Sequence, residues 1–129
     1  MNNPTNNILI IDLGSYNIKA GRASKEKPKI SARSLIGKSN DKSRIFICRE
    51  ALNELYSPKP MIEYKWDIMS IRWEDMFSFF SILFEDKLSI LLNVLKNYSL
   101  ILLNGVLQPK PQIKRLYSFF FINLTSKLL

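Results

Sequence analysis

Apolar and polar positions divide this chain into short strand-like runs in its first half and helical spacing in its second. Residues 8–11 are an apolar, mostly β-branched run between an Asn-rich stretch and Gly14, the pattern of a buried strand. A tight turn at Leu13, Gly14 and Ser15 leads into a second strand over residues 16–23. There Ile18, Ala20 and Arg22 share one face, and Asn17, Lys19 and Gly21 the other. Residues 24–29 are basic and contain Pro28, so they form a loop. Residues 30–36 read as a third strand closed by Gly37. Three strands from one continuous segment imply an antiparallel meander. Residues 38–44 are a polar loop, residues 44–48 (RIFIC) are strand-like, and residues 50–56 suit a helical turn. Pro58 and Pro60 mark residues 57–60 as an extended connector unable to pair regularly.

Helical spacing begins after Ser70. Glu74 and Asp75 suit a first turn, where the helix dipole favours acids. Met76, Phe79, Phe80 and Leu83 then recur at helical intervals, while Phe77, Ile82 and Phe84 widen the stripe beyond one face. Glu85, Asp86 and Lys87 interrupt this element, and a second helical piece runs to Lys96. Residues 100–103 read as a buried strand, followed by a loop with Gly105 and Pro109. Pro111 suits the first turn of a final helix carrying Ile113, Leu116, Tyr117 and Phe120. The order is three strands, an irregular segment, helix, strand and helix, which makes a mixed α/β layered unit.

Composition narrows the function classes. At 129 residues with 47% apolar and 12% aromatic side chains, the chain suits one folded domain. It has no histidine, which removes His-based metal sites and Ser- or Cys-His catalysis. A single cysteine, Cys48, excludes an internal disulfide and fits a reducing compartment. The start, MNNPTNN, lacks the features of a secretory signal. The greasiest stretch, residues 76–103, carries Glu85, Asp86, Lys87 and Lys96, which argues against a membrane span. The expectation is a soluble intracellular protein. Its net charge of +8 is uneven: residues 1–44 hold nine Lys/Arg against three Asp/Glu, whereas residues 45–75 hold four against six. Basic balance of this size suits phosphate-bearing partners or an acidic neighbour.

The stretch ILIIDLGSYNIKAG carries the chemistry. Asp12 stands at the end of a strand, where a side chain reaches a crevice. Amides from residues 14–17 can form an anion-binding nest, with the Ser15 hydroxyl and the Lys19 charge added. Asp12 beside phosphate is reasonable if it holds a hydrated Mg²⁺. The same residues also suit an ordinary hairpin turn with solvated charges, and D-x-G-S alone does not choose between the two readings.

The stretch IIDLGSYNIKAGRA resembles the first phosphate loop of actin and actin-related proteins, an apolar run followed by D-x-G-S-x-x-x-K-A-G-F-A. The match continues through Pro28 to SLIG at residues 34–37. PMIEYKWDIMSIRWEDM resembles that family's connector into its first long helix. LILLNGVLQPK and PQIKRLYSFFF are similar to the strand, loop and helix that come later. The resemblance implies an actin-like, ribonuclease H-like half-fold in the α/β class, with a five-stranded-type mixed sheet, three antiparallel N-terminal strands and flanking helices. Residues 1–129 would form a single N-terminal lobe. Its parts would be the phosphate-loop strands (7–37), a shortened insert and connector (38–60), and a helix-strand-helix unit (61–129).

For function, the resemblance implies an ATP or ADP half-site with Mg, in which Asp12 holds the metal through water. Gly14, Ser15, Tyr16 and Asn17 would surround the terminal phosphate, and Lys19 would contact the phosphates. Tyr16 stands where the family usually has Gly, and Arg22 where it has Phe. The family's second phosphate loop, catalytic glutamine and adenosine pocket would lie downstream of Leu129, so hydrolysis by this chain alone is not expected. The implied role is a cytoskeletal or complex-scaffolding subunit, cytoplasmic or alternatively nuclear. Its protein partners, a filament or a multi-subunit complex, would meet the apolar helix over residues 76–95. Neither membrane nor nucleic acid is expected. The alternative is a small basic nucleic-acid-associated module, possible because residues 1–44 are so basic.

Other constellations have plainer readings. Tyr64, Trp66 and Trp73 with Lys65 and Arg72 resemble a stacking platform, but interspersed acids favour packing. Glu85 and Asp86 diverge on a helix and read as solvated charges. Cys48 lies in an apolar strand and reads as a small core residue.

Overall fold

The computed structural model describes residues 7–66, 68–103 and 110–123. Strands β1 (Ile8–Leu13), β2 (Asn17–Arg22) and β3 (Ile30–Arg33) form the expected meander. Pairing is antiparallel, with Ile11 opposite Ala20 and Ile18 opposite Ala32. Alternation decides which side is core: Leu9, Ile11, Ile18 and Ala20 are at most 1% exposed, while Asn17 and Lys19 face out. Strand β9 (Ser99–Leu103) then joins β1 in parallel, giving the order β3-β2-β1-β9. Among the described residues this sheet has four strands rather than five. The chain is mixed α/β, with small sheets and a few helices.

The structure corrects several boundaries. Residues 30–36 are not one strand. The chain breaks at Ser34 and enters a second sheet as β4 (Leu35–Lys38), with Gly37 inside the strand rather than closing it. β4 is flanked by β5 (Ile45–Ile47) and by the two-residue β6 (Lys59–Pro60). The proline connector therefore does pair, on a sheet edge where Pro60's missing N–H is tolerated. Residues 62–71, expected as part of a connector, form a hairpin of β7 (Ile62–Lys65) and β8 (Ile68–Ile71). β9 is not buried: Ile101 is 45% and Leu103 49% exposed, since only Leu100 and Leu102 turn inward.

The apolar stretch after Asp75 is broken up. A 3-10 turn over Trp73–Asp75 leads into α1 (Met76–Ile82), which relaxes into a π turn over Leu83–Lys87. A further 3-10 segment spans Leu92–Asn97, and α2 is Lys110–Ser118. The expected partner face over residues 76–95 is largely spent inside this chain. Met76, Phe79, Phe80, Leu83 and Phe84 are at most 1% exposed and belong to the single core that also contains Leu9, Ile11 and Ile18. Of that stretch, Leu91 at 58% and Val94 at 39% stay outside. Among the described residues, no helix is long and apolar enough to cross a membrane.

Phe80 is the hub of this core. Its ring meets Phe120 edge-on at 4.8 Å and Phe79 at 5.2 Å, with Phe119 and Phe84 at 5.9 and 6.0 Å. It therefore joins α1 to the π turn Phe119–Asn123 that follows α2. Offset and edge-to-face pairs add to the area term that drives burial. Phe80→Ala should cost about 3–5 kcal/mol by leaving a cavity, whereas Leu91→Ala should stay within about 0.5 kcal/mol. Equilibrium urea unfolding of both variants measures the difference.

Candidate functional site

β1 ends with Asp12, and β2 begins two residues before Lys19. Antiparallel register makes Asp12 and Lys19 cross-strand partners on the sheet face that the helices leave open. The turn between them is held from both sides. The Gly14 N–H donates to the Asn17 carbonyl at 3.0 Å. A Cβ at Gly14 would lie 2.6 Å from that same oxygen, so this close approach requires glycine. The Ser34 hydroxyl donates to the Gly14 carbonyl at 2.9 Å, and the Ser34 N–H donates to the Tyr16 carbonyl at 3.0 Å.

The Gly14 amide is therefore committed to the hairpin. Tyr16 does not adopt positive φ, so its backbone conformation does not demand the glycine found there in the family pattern. Its ring is 61% exposed and lies under the Arg33 guanidinium, 3.9 Å from the ring centroid.

Asp12 and Lys19 do enter one groove, of about 210 Å³. Ile10 and Leu103 also line it, together with Lys25, Glu26 and Lys27 from the β2–β3 loop. Gly14, Ser15, Tyr16 and Asn17 are not among its lining residues. Of the six expected site residues, the fold thus brings together two and adds Lys25 and Lys27, which read in sequence only as loop charges. Gly21 makes this possible. A Cβ there would stand 2.9 Å from the Lys29 nitrogen and 3.1 Å from Pro28 Cα, so the bare glycine lets the loop cross β2 closely.

Three lysines around Asp12 and Glu26 suit phosphate oxygens. The Asp12 carboxylate makes no hydrogen bond or ion pair among the described residues, so it is free to accept water from a hydrated Mg²⁺. No group of three or more His, Cys, Asp or Glu side chains among the described residues could hold a metal by itself. Any Mg²⁺ here would have to take most of its ligands from phosphate and water. Arg22 also lines this groove, and its guanidinium donates to the Tyr98 hydroxyl at 3.3 Å, tying β2 to the segment entering β9.

The remaining candidates resolve as follows. Cys48 is 2% exposed, and burial pushes its thiol up to about 11, the wrong direction for a nucleophile. Glu85 and Asp86 are exposed on the π turn. Trp73 is half-buried beneath Arg115, 4.2 Å from its ring centroid, whereas Trp66 stands 95% exposed at the β7–β8 tip. These rings do not stack on one another among the described residues.

Two outcomes follow. Gly21→Ala should destabilise the fold by about 1–3 kcal/mol by forcing the residue 24–29 loop off β2, measured by denaturant unfolding. Cys48 should resist a thiol reagent at pH 8 in the native protein and react once unfolded. Its folded pKa lies above the ordinary 9.0, so the stabilisation from a neutral thiol is present below 9.0 and is lost as pH rises toward 11. In comparison with known proteins, no family model and no curated sequence matches the chain.

Proposed function

We propose that this chain is a divergent actin-related protein, a cytoskeletal or complex-scaffolding subunit in which one jaw of a nucleotide clamp holds the phosphates of Mg-ATP or Mg-ADP. The observation that carries the reading is the pairing of Asp12 and Lys19 across β1 and β2 in a groove lined also by Lys25 and Lys27. The β3-β2-β1-β9 order, with two antiparallel pairings and then a parallel one, is consistent with the half-fold that the sequence resemblance implies. In this reading Lys19, Lys25 and Lys27 meet phosphate oxygens as charge-assisted donors. Asp12 orients the metal through its water shell, and the open sheet face admits the ligand. Catalysis is not proposed. Asp12 would be engaged with the metal, Glu26 lies among lysines, and the chain contains no histidine to serve as a base.

Mg-ATP titrated against thermal unfolding tests the reading. At ten times Kd the folded state should gain about 1.4 kcal/mol, a rise of a few degrees in Tm, and Lys19→Ala should weaken the response. An unchanged Tm at millimolar Mg-ATP would remove the nucleotide role. The alternative, a basic nucleic-acid-associated module, draws on the exposed Lys25, Lys27 and Lys29. It would be favoured if Mg-ATP had no effect and duplex DNA bound with an affinity falling steeply with salt.

A further inference from the structure

A second cavity, of about 370 Å³, lies away from the Asp12 groove, between the β4–β5 loop, the β6 connector and the turn that starts α1. We infer that it is an anion site for a small phosphate-bearing molecule, held by Lys38, Lys42, Lys59 and Arg72.

Charge bookkeeping carries the inference. Four cations and one carboxylate, Asp75, line this concavity. Asp75 is 4% exposed and already answered twice, by Lys38 Nζ at 2.6 Å and by Arg72 Nη1 at 3.7 Å. Arg72 Nη1 also meets Glu74 Oε1 at 3.0 Å. Lys42 and Lys59 are exposed and form no ion pair among the described residues. The cavity therefore carries uncompensated positive charge, and gathering like charges around a concave, low-dielectric wall is unfavourable until an anion enters. Arg72 contributes a second sign. Its Nε–H is buried and has no acceptor among the described residues, although buried donors are nearly always paired.

The lysine-bearing loop is also pre-shaped. Asp41 accepts the Ser39 and Ser43 hydroxyls, each at 2.7 Å, and the Ser43 amide at 3.0 Å. These bonds hold its carboxyl down at about 2, so the loop keeps this form at neutral pH. Lys42 and Ser57, both lining the cavity, are held at φ 60° and 45°. Such left-handed conformations in residues other than glycine cost energy that the surrounding structure must offset.

The size suits a small ligand. At about 370 Å³ the cavity lies toward the lower end of the range for small-molecule sites, roughly 300–1,000 Å³. Its cations ring a hollow rather than forming the long stripe that follows a nucleic-acid backbone. Four donors carrying charge match the several oxygens of a phosphoryl group better than a single carboxylate.

Inorganic pyrophosphate, titrated without Mg²⁺ into the full chain and followed by amide chemical shifts, is the test. Saturable shifts are expected in residues 38–44, 57–59 and 72–75, with an affinity falling at least about tenfold in Lys42→Ser/Lys59→Ser. Both lysines are exposed, so an unchanged spectrum of the free double variant verifies its fold. Shifts confined to residues 12–27 would overturn the inference, as would binding that survives the double substitution or no saturation at millimolar pyrophosphate. A lipid source is separated by a further arm. If vesicles containing a phosphorylated inositol lipid bind the chain through these lysines and free pyrophosphate does not, the small-molecule reading falls.

Discussion

Ser34 is 1% exposed, and its hydroxyl, amide and carbonyl are all engaged in joining separate parts of the chain. The hydroxyl donates to the Gly14 carbonyl, the amide to the Tyr16 carbonyl, and the Ser34 carbonyl accepts the Met61 N–H at 2.8 Å. Buried polar groups are costly unless paired, so a fully satisfied serine at this joint specifies one arrangement. It is also where the chain leaves the first sheet for the second. Met61 passes the connection on, since its carbonyl accepts the Arg72 N–H at 2.9 Å. The β1–β2 turn, the sheet joint, the β7–β8 hairpin and the cation cavity at Asp75 thus hang on one run of backbone and side-chain hydrogen bonds.

The first sheet is two-sided in character. One face packs its aliphatic residues into the phenylalanine core around Phe80, which supplies the main driving force for folding. The other face keeps Asp12 and Lys19 beside Ile101 and Leu103, with β9 at the edge. An edge strand with exposed apolar side chains invites pairing and is normally guarded by charge. Here Leu103 of that edge lines the same groove as Lys19, Lys25 and Lys27, which places charge beside it.

Local patterns were readable wherever period and chemistry agreed. Alternation over Leu9, Ile11, Ile18 and Ala20 marked the inner face of the meander, because side-chain period in a strand is independent of what the strand pairs with. The spacing of Met76, Phe79, Phe80 and Leu83 marked helix and core, and Cys48 read correctly as a buried small residue. Misreadings occurred where neighbours outvoted local signals. Residues 30–36 looked continuous because nothing local announces that Ser34 will bond to Gly14 and Tyr16. Pro58 and Pro60 argued against pairing, yet an edge position removes the penalty. Tyr64, Trp66 and Ile68 obscured the β7–β8 hairpin because much of their apolar surface faces solvent.

The sequence by itself determined the mixed α/β class, the antiparallel N-terminal meander and the helical, core-facing spacing of residues 76–83. Each was legible in residue patterns spanning about a dozen positions or fewer. Tertiary structure alone decided that Lys25 and Lys27 join Asp12, that the turn residues 14–17 stand outside that groove, and that Lys38, Lys42, Lys59 and Arg72 surround a second hollow. Those groupings depend on which strands share a sheet and how closely a loop can cross a bare glycine. Such distances are set by packing between segments far apart in the chain, where residue order carries no direct signal.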